Sequence, residues 1–319
     1  MSTTAYTRLK GLTHVGNFGV SNQIEHNIIG FLNWGTMMAG GFFNYESSGN
    51  NHYGQDETRM KPVHDPNYTD GKVWEGRRLD WVWESGVQYD PAPIPVSGVR
   101  VNGTFYPSDT TGIYSHYVDY PNGRVIFPSG LSTSAIVQVN HSPRYVSFKT
   151  GDQPWLSRVL QNTNKDNGFD IVASGNRIVM GDVRVQLPTV IVEAGPNRGT
   201  SPLQLGGGEW ADEDVTFTIL ASNSFERNNI FDWLCNQYQK SIYMYDMNTV
   251  LASGLYPLDY RGSVVNNLGR YPDLVENPLC SVYKTLHVQR TQGFDRYRVN
   301  DSLFVGTVRW TTKVDMLPV

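Results

Sequence analysis

The sequence predicts a β-rich α+β protein, and three observations support this class. Turn-forming residues are frequent, with 31 Gly and 17 Pro in 319 residues. Tyr (18) and Trp (8) are abundant while charged residues reach only 18%, which is atypical of helical bundles. Apolar and polar residues alternate with period two in many short segments, as in half-buried strands. The length is sufficient for two or three domains.

Residues 1–95 are predicted to form an N-terminal arm with one short helix. Asn22 followed by Glu25 fits a capping box, and the apolar residues after it share one helical face: Ile24, Ile28, Phe31 and Leu32. The next segment, 33–43, is apolar and Gly-rich without any period, so we expect it to pack against another surface. Period two in Leu79, Trp81 and Trp83 suggests a strand. The prolines of 90–95 predict an extended linker.

Residues 96–205 are predicted to form an antiparallel β domain. The segment 99–106 is a hairpin whose Asn102-Gly103 pair suits the two positive φ angles of a type I′ turn. A second hairpin is expected over 117–127. Alternation of Val183, Val185 and Leu187 with polar residues indicates further strands.

Residues 206–319 are predicted to form an α+β domain after the Gly206-Gly207-Gly208 run. Val215, Phe217 and Ile219 alternate with threonines, as in a strand. Asn223 and Glu226 fit a second capping box, which opens a helix. Strands are expected over 281–290 and from Phe304 to Met316. The order strand, helix, strands is typical of an α+β unit with a mostly antiparallel sheet.

Charge and motifs argue against catalysis and against dedicated nucleic-acid binding. The 26 Lys+Arg and 30 Asp+Glu give a net charge of −4, with no basic surplus to neutralise phosphates. Of the 26 cationic residues, 18 are Arg. This bias towards Arg favours a protein with subunit interfaces, and the base composition of the genome explains it equally well. No hydrolase elbow or phosphate-binding loop is present, so we expect no enzyme activity, no cofactor and no metal site.

No stretch of the sequence predicts a membrane segment or a secretory signal. No run reaches about 18 apolar residues, and the first ten residues are polar. Two cysteines, Cys235 and Cys280, are too few for a disulfide framework and suit a core. We expect synthesis in a reducing cytoplasm.

The apolar residues of the first part are predicted to form a subunit interface, because large apolar patches on soluble chains mark such contacts. In the alternative interpretation the apolar segment 33–43 folds back on the sheet of its own chain. The predicted interface residues are Phe31, Trp34, Met37, Met38, Phe42, Phe43, Trp81 and Trp83.

Three patches of the sequence carry a resemblance to a known group. They are Tyr117-Val118-Asp119-Tyr120-Pro121-Asn122-Gly123-Arg124-Val125-Ile126-Phe127, then Leu205-Gly206-Gly207-Gly208-Glu209-Trp210 followed by Asp214-Val215-Thr216-Phe217-Thr218-Ile219-Leu220-Ala221, and Gly306-Thr307-Val308-Arg309-Trp310. These patches resemble virion structural proteins of tailed bacteriophages, especially marine cyanophages with contractile tails. The third part is similar to the small α+β domains of tail-terminator and other neck proteins, by analogy of fold. The resemblance implies a subunit that forms a ring around the DNA channel.

The resulting hypothesis is a non-enzymatic virion protein, a neck or head-to-tail connector made in the host bacterial cytoplasm. Its partners would be copies of itself in a homo-oligomeric ring, other neck, portal or tail proteins, and packaged DNA in passive contact, with no membrane. A tail, baseplate, fibre or capsid-decoration protein is one alternative. Another is a carbohydrate-binding or glycan-cleaving protein that uses Trp74, Trp81, Trp83 and the cluster Asp212-Glu213-Asp214, which otherwise suits a solvated turn.

Overall fold

The fold was obtained as a computed structural model that describes residues 14–47, 56–153, 155–156, 170–172, 177–180, 183–202, 209–300 and 303–316. Helices account for 19% and strands for 37%, and the largest sheet curls into half of a barrel. The predicted class, a β-rich α+β protein, is therefore confirmed. Among the helices of these ranges, none is both long and apolar enough to cross a bilayer.

Two small sheets form a β unit in the first half of the chain. Its strands are β1 (Lys61–Pro62), β2 (Val73–Glu75), β3 (Gly98–Val101), β4 (Thr104–Pro107), β5 (Tyr117–Asp119), β6 (Arg124–Ile126) and β7 (Val137–Gln138). One sheet has the order β1-β2-β6-β5 and the other β4-β3-β7. A 3₁₀ turn, Gly112–Tyr114, lies between β4 and β5. Both sheets contribute to one core: Met60, Trp74, Trp81, Val99, Val101, Val118, Val125, Phe127, Val137 and Val139.

Both predicted hairpins of this unit are confirmed. Strand β3 pairs with β4 through a turn in which Asn102 has φ 50° and Gly103 has φ 86°. Two consecutive positive φ angles are what a type I′ turn requires. Strands β5 and β6 pair in the same antiparallel way.

The second half of the chain forms a six-stranded sheet. Its strands are β8 (Ser147–Thr150), β12 (Thr189–Pro202), β13 (Glu209–Ala221), β14 (Ser241–Tyr245), β15 (Ser281–Asn300) and β16 (Leu303–Met316). The order is β14-β15-β16-β13-β12-β8, and only the β12–β8 pair is parallel. A separate sheet, β11-β10-β9, contains β9 (Asp170–Val172), β10 (Arg177–Met180) and β11 (Val183–Gln186).

Two helices cover one face of the large sheet. They are α1 (Val20–Met38) and α2 (Ser224–Cys235). Helix α1 contributes Ile24, Ile28 and Leu32 to the main core, and α2 contributes Ile230, Phe231 and Leu234. The predicted cap of α2 is confirmed, since the Asn223 side chain accepts a hydrogen bond from the Glu226 amide at 2.9 Å. Shorter helices follow at α3 (Met247–Ala252) and α4 (Tyr271–Glu276).

Helix α1 contacts both edges of the curled sheet. It packs on β8 and β12 at one edge and on β14 at the other. The sheet opens between these edges, and α1 occupies the opening with its apolar stripe directed at the sheet. The helix therefore closes the half-barrel.

The predicted N-terminal arm is wrong in two respects. Helix α1 begins at Val20 after Gly19 and continues to Met38, so the segment 33–38 is helical and Asn22 is not its cap. Its apolar stripe belongs to the main core, as in the alternative interpretation of a segment folding back on its own chain. Gly30 and Gly35 hide the helical period in the sequence, because they leave apolar positions without a side chain.

The three predicted parts do not match the units that pack together. Strand β2, from the first part, pairs with β6 of the second, and Trp74 shares a core with Val99. Strands β12 and β13 pair across the expected boundary at 205/206. The Gly206–Gly208 run itself lies outside the described residues. Boundaries drawn from local composition fail here because the pairing partners are distant in sequence.

Candidate functional site

Four of the predicted interface residues lie in α1, and the helix directs them to different sides: Phe31, Trp34, Met37 and Met38. Successive helical residues are rotated by about 100°, so neighbours in sequence point in different directions. The Phe31 ring lies 6.0 Å from Tyr271 and has the Lys240 ammonium 5.6 Å from its centre. Trp34 faces the guanidinium of Arg270 at 5.9 Å. The predicted continuous apolar surface is therefore divided.

Two predicted interface residues, Met37 and Trp81, are enclosed by their own chain, each with 1% of its surface exposed. The Met37 sulfur accepts a hydrogen bond from Arg144 Nη1 at 2.9 Å. Trp81 stacks on His141 with ring centres 4.1 Å apart and donates to the Arg78 carbonyl. For these two residues the interface prediction is wrong, because a neighbouring subunit does not reach enclosed side chains. It stays a prediction for the partly exposed residues Phe31, Trp34, Met38, Phe42, Phe43 and Trp83.

An apolar groove lies between α1 and α2, above the sheet. It encloses about 580 Å³, and its walls include Phe31, Leu32, Tyr145, Phe148, Ile230 and Trp233. Trp233 is 43% exposed at the rim. Gly35 widens the groove, because a Cβ there would meet nothing within 4 Å. We call this feature the α1–α2 groove.

A polar cleft lies on the other side of α1, and we call it the Arg144 cleft. It encloses about 260 Å³ and includes Trp34, Trp83, Asp80, Glu84, Arg144 and Lys149. Arg144 Nη2 donates to both Glu84 oxygens at 2.6 Å, and its Nε lies 3.4 Å from Asp80 Oδ1.

Burial alone would lower the pKa of Arg144, yet the adjacent Glu84 and Asp80 carboxylates raise it. The three side chains form a compensated ion cluster that joins residues about 60 positions apart in sequence. Asp80 also accepts a hydrogen bond from the Ser147 hydroxyl of β8 at 2.7 Å, so the 80–84 segment is held against this strand.

The residues proposed for sugar binding do not converge. Trp74 and Trp81 are each 1% exposed, so neither offers a stacking face to a ligand. The cluster Asp212-Glu213-Asp214 lies within β13, where alternation places Glu213 on the helix-bearing face and the two aspartates on the other. Asp214 accepts a hydrogen bond from Thr311 at 2.9 Å. Paired carboxylate chemistry is thus not supported at these positions, and the cluster is part of a strand rather than a turn.

Two buried histidines are held in neutral surroundings. His141 is fully buried; burial lowers its pKa to about 4, although a bond to the Val139 carbonyl opposes the shift. Burial also lowers the pKa of His116. Across the described ranges no three His, Cys, Asp or Glu side chains meet as a candidate metal site.

Comparisons with protein-family models, with curated proteins and with solved structures found no match for this chain.

Two features of the structure escaped sequence reasoning. The α1–α2 groove joins helices that are about 200 residues apart, and the only local signal is the run of small residues at Gly35, Ala39 and Gly40. The Arg144 cluster has no local signal, because its charges are scattered over β-unit loops.

Proposed function

We propose that this chain is a non-enzymatic structural subunit of a tailed-phage virion, positioned at the neck or head-to-tail connector. In this role it forms a homo-oligomeric ring around the DNA channel and contacts other neck, portal or tail proteins. Ring formation requires a heterologous contact, in which two different surfaces of the same subunit meet and the rotation closes.

The observation that supports the proposal best is the α1–α2 groove. It is concave and mainly apolar, and an exposed tryptophan stands at its rim. Tryptophan is among the residues that contribute most to protein–protein contacts. An apolar groove of this size is stabilised when a side chain of a neighbouring subunit removes it from water.

Two further observations agree with the neck position. The described residues of the sequence patches that resemble phage virion proteins fall on β5 and β6, on β13 and on β16. Strands β6, β13 and β16 each have a neighbouring strand on both sides, and β5 is an edge strand. The net charge of −4 keeps the subunit from adhering to DNA that slides past it.

The proposal is tested by imaging the purified protein alone and with the other neck proteins of its phage. Rings, or density for this chain between head and tail of the particle, are the expected result. Density in the baseplate, a fibre or the capsid surface would move the protein to one of those positions. A chain that stays monomeric under all these conditions would exclude the connector role.

A point variant tests the groove itself. Trp233→Glu places a charge at the rim, so we expect loss of assembly without loss of the fold. Tyr260→Glu is the control, because Tyr260 is an aromatic residue that is 89% exposed and does not line the groove. Wild-type assembly by Trp233→Glu would remove the groove from the interface.

A further inference from the structure

Three arginines gather where α2 meets the far end of the β15–β16 hairpin. The Arg296 guanidinium lies 3.7 Å from the centre of the Phe231 ring. Arg227 and Arg298 lie 5.9 Å and 5.3 Å from the centre of the Phe304 ring. We call Arg227, Arg296 and Arg298 the arginine surface. Stacking on rigid rings fixes the guanidiniums in place, so the positive charge is preorganised.

The arginine surface brings like charges together. Arg227 donates to neutral acceptors, the Asn228 side chain at 2.9 Å and the Tyr297 carbonyl at 3.5 Å. Burial lowers the pKa of Arg227, and the nearby charge of Arg296 lowers it further. Arg296 lies 3.8 Å from Asp232, which is 66% exposed and therefore a weak partner. An incoming anion would relieve this repulsion.

Two residues close in sequence to these arginines carry exposed aromatic rings. Phe225, in the first turn of α2, is 72% exposed, and Tyr297 of β15 is 43% exposed. Arginine combined with exposed aromatic residues is the composition of protein interfaces. The absence of lysine from the surface also favours a carboxylate partner, because the planar guanidinium pairs with carboxylates through two hydrogen bonds.

A second copy of this chain carries complementary charge. Glu25 Oε1 accepts a hydrogen bond from the Ala194 amide at 2.7 Å, and β8 pairs with β12 at Thr150 and Val192, so Glu25, Asp152 and Glu193 lie at the same end of this strand pair. Burial raises the pKa of Glu25, and the Glu193 and Asp152 carboxylates raise it further. Asp152 and Glu193 are exposed. Within the part of the chain that the structure describes, none of these three carboxylates forms an ion pair. We call them the acidic edge.

We propose that the arginine surface of one copy binds the acidic edge of a second copy, head to tail. The inference rests on the proposed function and names the electrostatic contact that a ring of identical subunits would use. Because the two surfaces are different parts of one chain, each subunit uses both at once, as a heterologous assembly requires. Complementary charge speeds encounter and fixes register.

Charge reversal tests the contact. Three variants are compared with wild type by analytical ultracentrifugation in low salt, and each is checked for wild-type thermal unfolding. R227E/R296E reverses the arginine surface, and D152R/E193R reverses the acidic edge. R100E/R261E is the control, because Arg100 and Arg261 are also stacked on aromatic rings and the change in net charge equals that of R227E/R296E.

We expect each reversal alone to weaken self-association at least tenfold, and the control to leave it unchanged. An equimolar mixture of R227E/R296E and D152R/E193R should assemble again, because every contact in the mixture then joins opposite charges. Raising the salt concentration should weaken the wild-type assembly.

Three results would overturn the inference. If wild type assembles and both reversals assemble equally well, the contact lies elsewhere although the proposed function stands. If the reversal R227E/R296E abolishes binding of a fluorescent DNA duplex and leaves self-association intact, the arginine surface is a nucleic-acid site. If wild type never assembles, the proposed function fails together with this contact.

Discussion

The side-chain amide of Asn27 pairs with the backbone of Tyr245 in the way that a neighbouring strand would. Asn27 Oδ1 accepts a hydrogen bond from the Tyr245 amide at 2.8 Å, and Asn27 Nδ2 donates to the Tyr245 carbonyl at 2.9 Å. Asn27 is fully buried in α1, and Tyr245 ends the edge strand β14. The Tyr271 hydroxyl donates to the Tyr243 carbonyl of the same strand. This edge is therefore partly capped by side chains and is protected from pairing with another chain.

The Asn27 pairing predicts a large effect of a small substitution. Asn27→Ala leaves two backbone groups of Tyr245 without their partner, and a buried polar group left unpaired costs about 1–3 kcal/mol. We expect a loss of roughly 2–5 kcal/mol in the free energy of unfolding, measured by denaturant titration. Asn33→Ala on the same helix is the control, because Asn33 Oδ1 has no hydrogen-bond partner among the described residues. Equal losses in the two variants would contradict the pairing.

The helix stripe predicts that α1 is required for the fold of the large sheet. Ile28→Ala should lower the free energy of unfolding by about 2–5 kcal/mol, because Ile28 is fully enclosed in the main core. Asn22→Ala, on the exposed side of α1, should have little effect.

Deletion of residues 21–43 gives a stronger test of the same point. For a separate arm the later residues would remain folded after this deletion. With α1 inside the half-barrel, we expect the circular dichroism signal and the cooperative unfolding of the sheet to be lost. A deletion variant that unfolds cooperatively would show that the sheet does not need the helix.

His141 predicts a loss of stability in mild acid. Its folded pKa is about 4 while the ordinary value is 6.5, so the unfolded chain binds the proton more readily between these values. Stability should fall as the pH drops below about 6.5, by about 1.4 kcal/mol per pH unit, until the pH nears 4. Unfolding free energies at pH 7 and pH 5 measure this change. His141→Phe should have a shallower pH dependence than wild type between pH 7 and pH 5, and an equally steep dependence in the variant would contradict the assignment.

Gly293 predicts a steric requirement beneath Phe231. A Cβ at this position would clash with the Phe231 ring, and the Arg296 guanidinium also packs on that ring. Gly293→Ala should force the ring to move and cost about 1–3 kcal/mol. Gly199→Ala is the control, because a Cβ at Gly199 in β12 meets nothing within 4 Å. The melting temperatures of the two variants are compared with that of wild type. An unchanged melting temperature for Gly293→Ala would show that the Phe231 ring moves freely.

Local signals in the sequence predicted local structure well. The Asn102-Gly103 pair set the turn between β3 and β4, and Asn223 with Glu226 set the start of α2, because each signal acts within a few residues. The final strand was also recognisable, since its inward residues alternate regularly up to Val314.

Contacts between residues distant in sequence could not be predicted from such local signals. Trp74 and Trp81 look like exposed stacking residues in a polar context, yet they fill the core between two sheets whose strands come from both sides of the proline segment. The side-chain direction of Glu213 depends on β13 extending back to Glu209, and the acidic residues around it give no local strand signal. Which helix covers which strand depends on the curvature of the sheet, and no single segment encodes that curvature.

The position of α1 also determines when the fold can be completed while the chain is being synthesised. The helix leaves the ribosome first, but Tyr245, which Asn27 must reach, follows 218 residues later. At a translation rate of about 5–20 residues per second, the helix waits at least ten seconds for its partner strand. Strands β8 and β12, which also pack on α1, are synthesised during this interval, so the apolar stripe is covered in steps and β14 is the last of its strand partners to arrive.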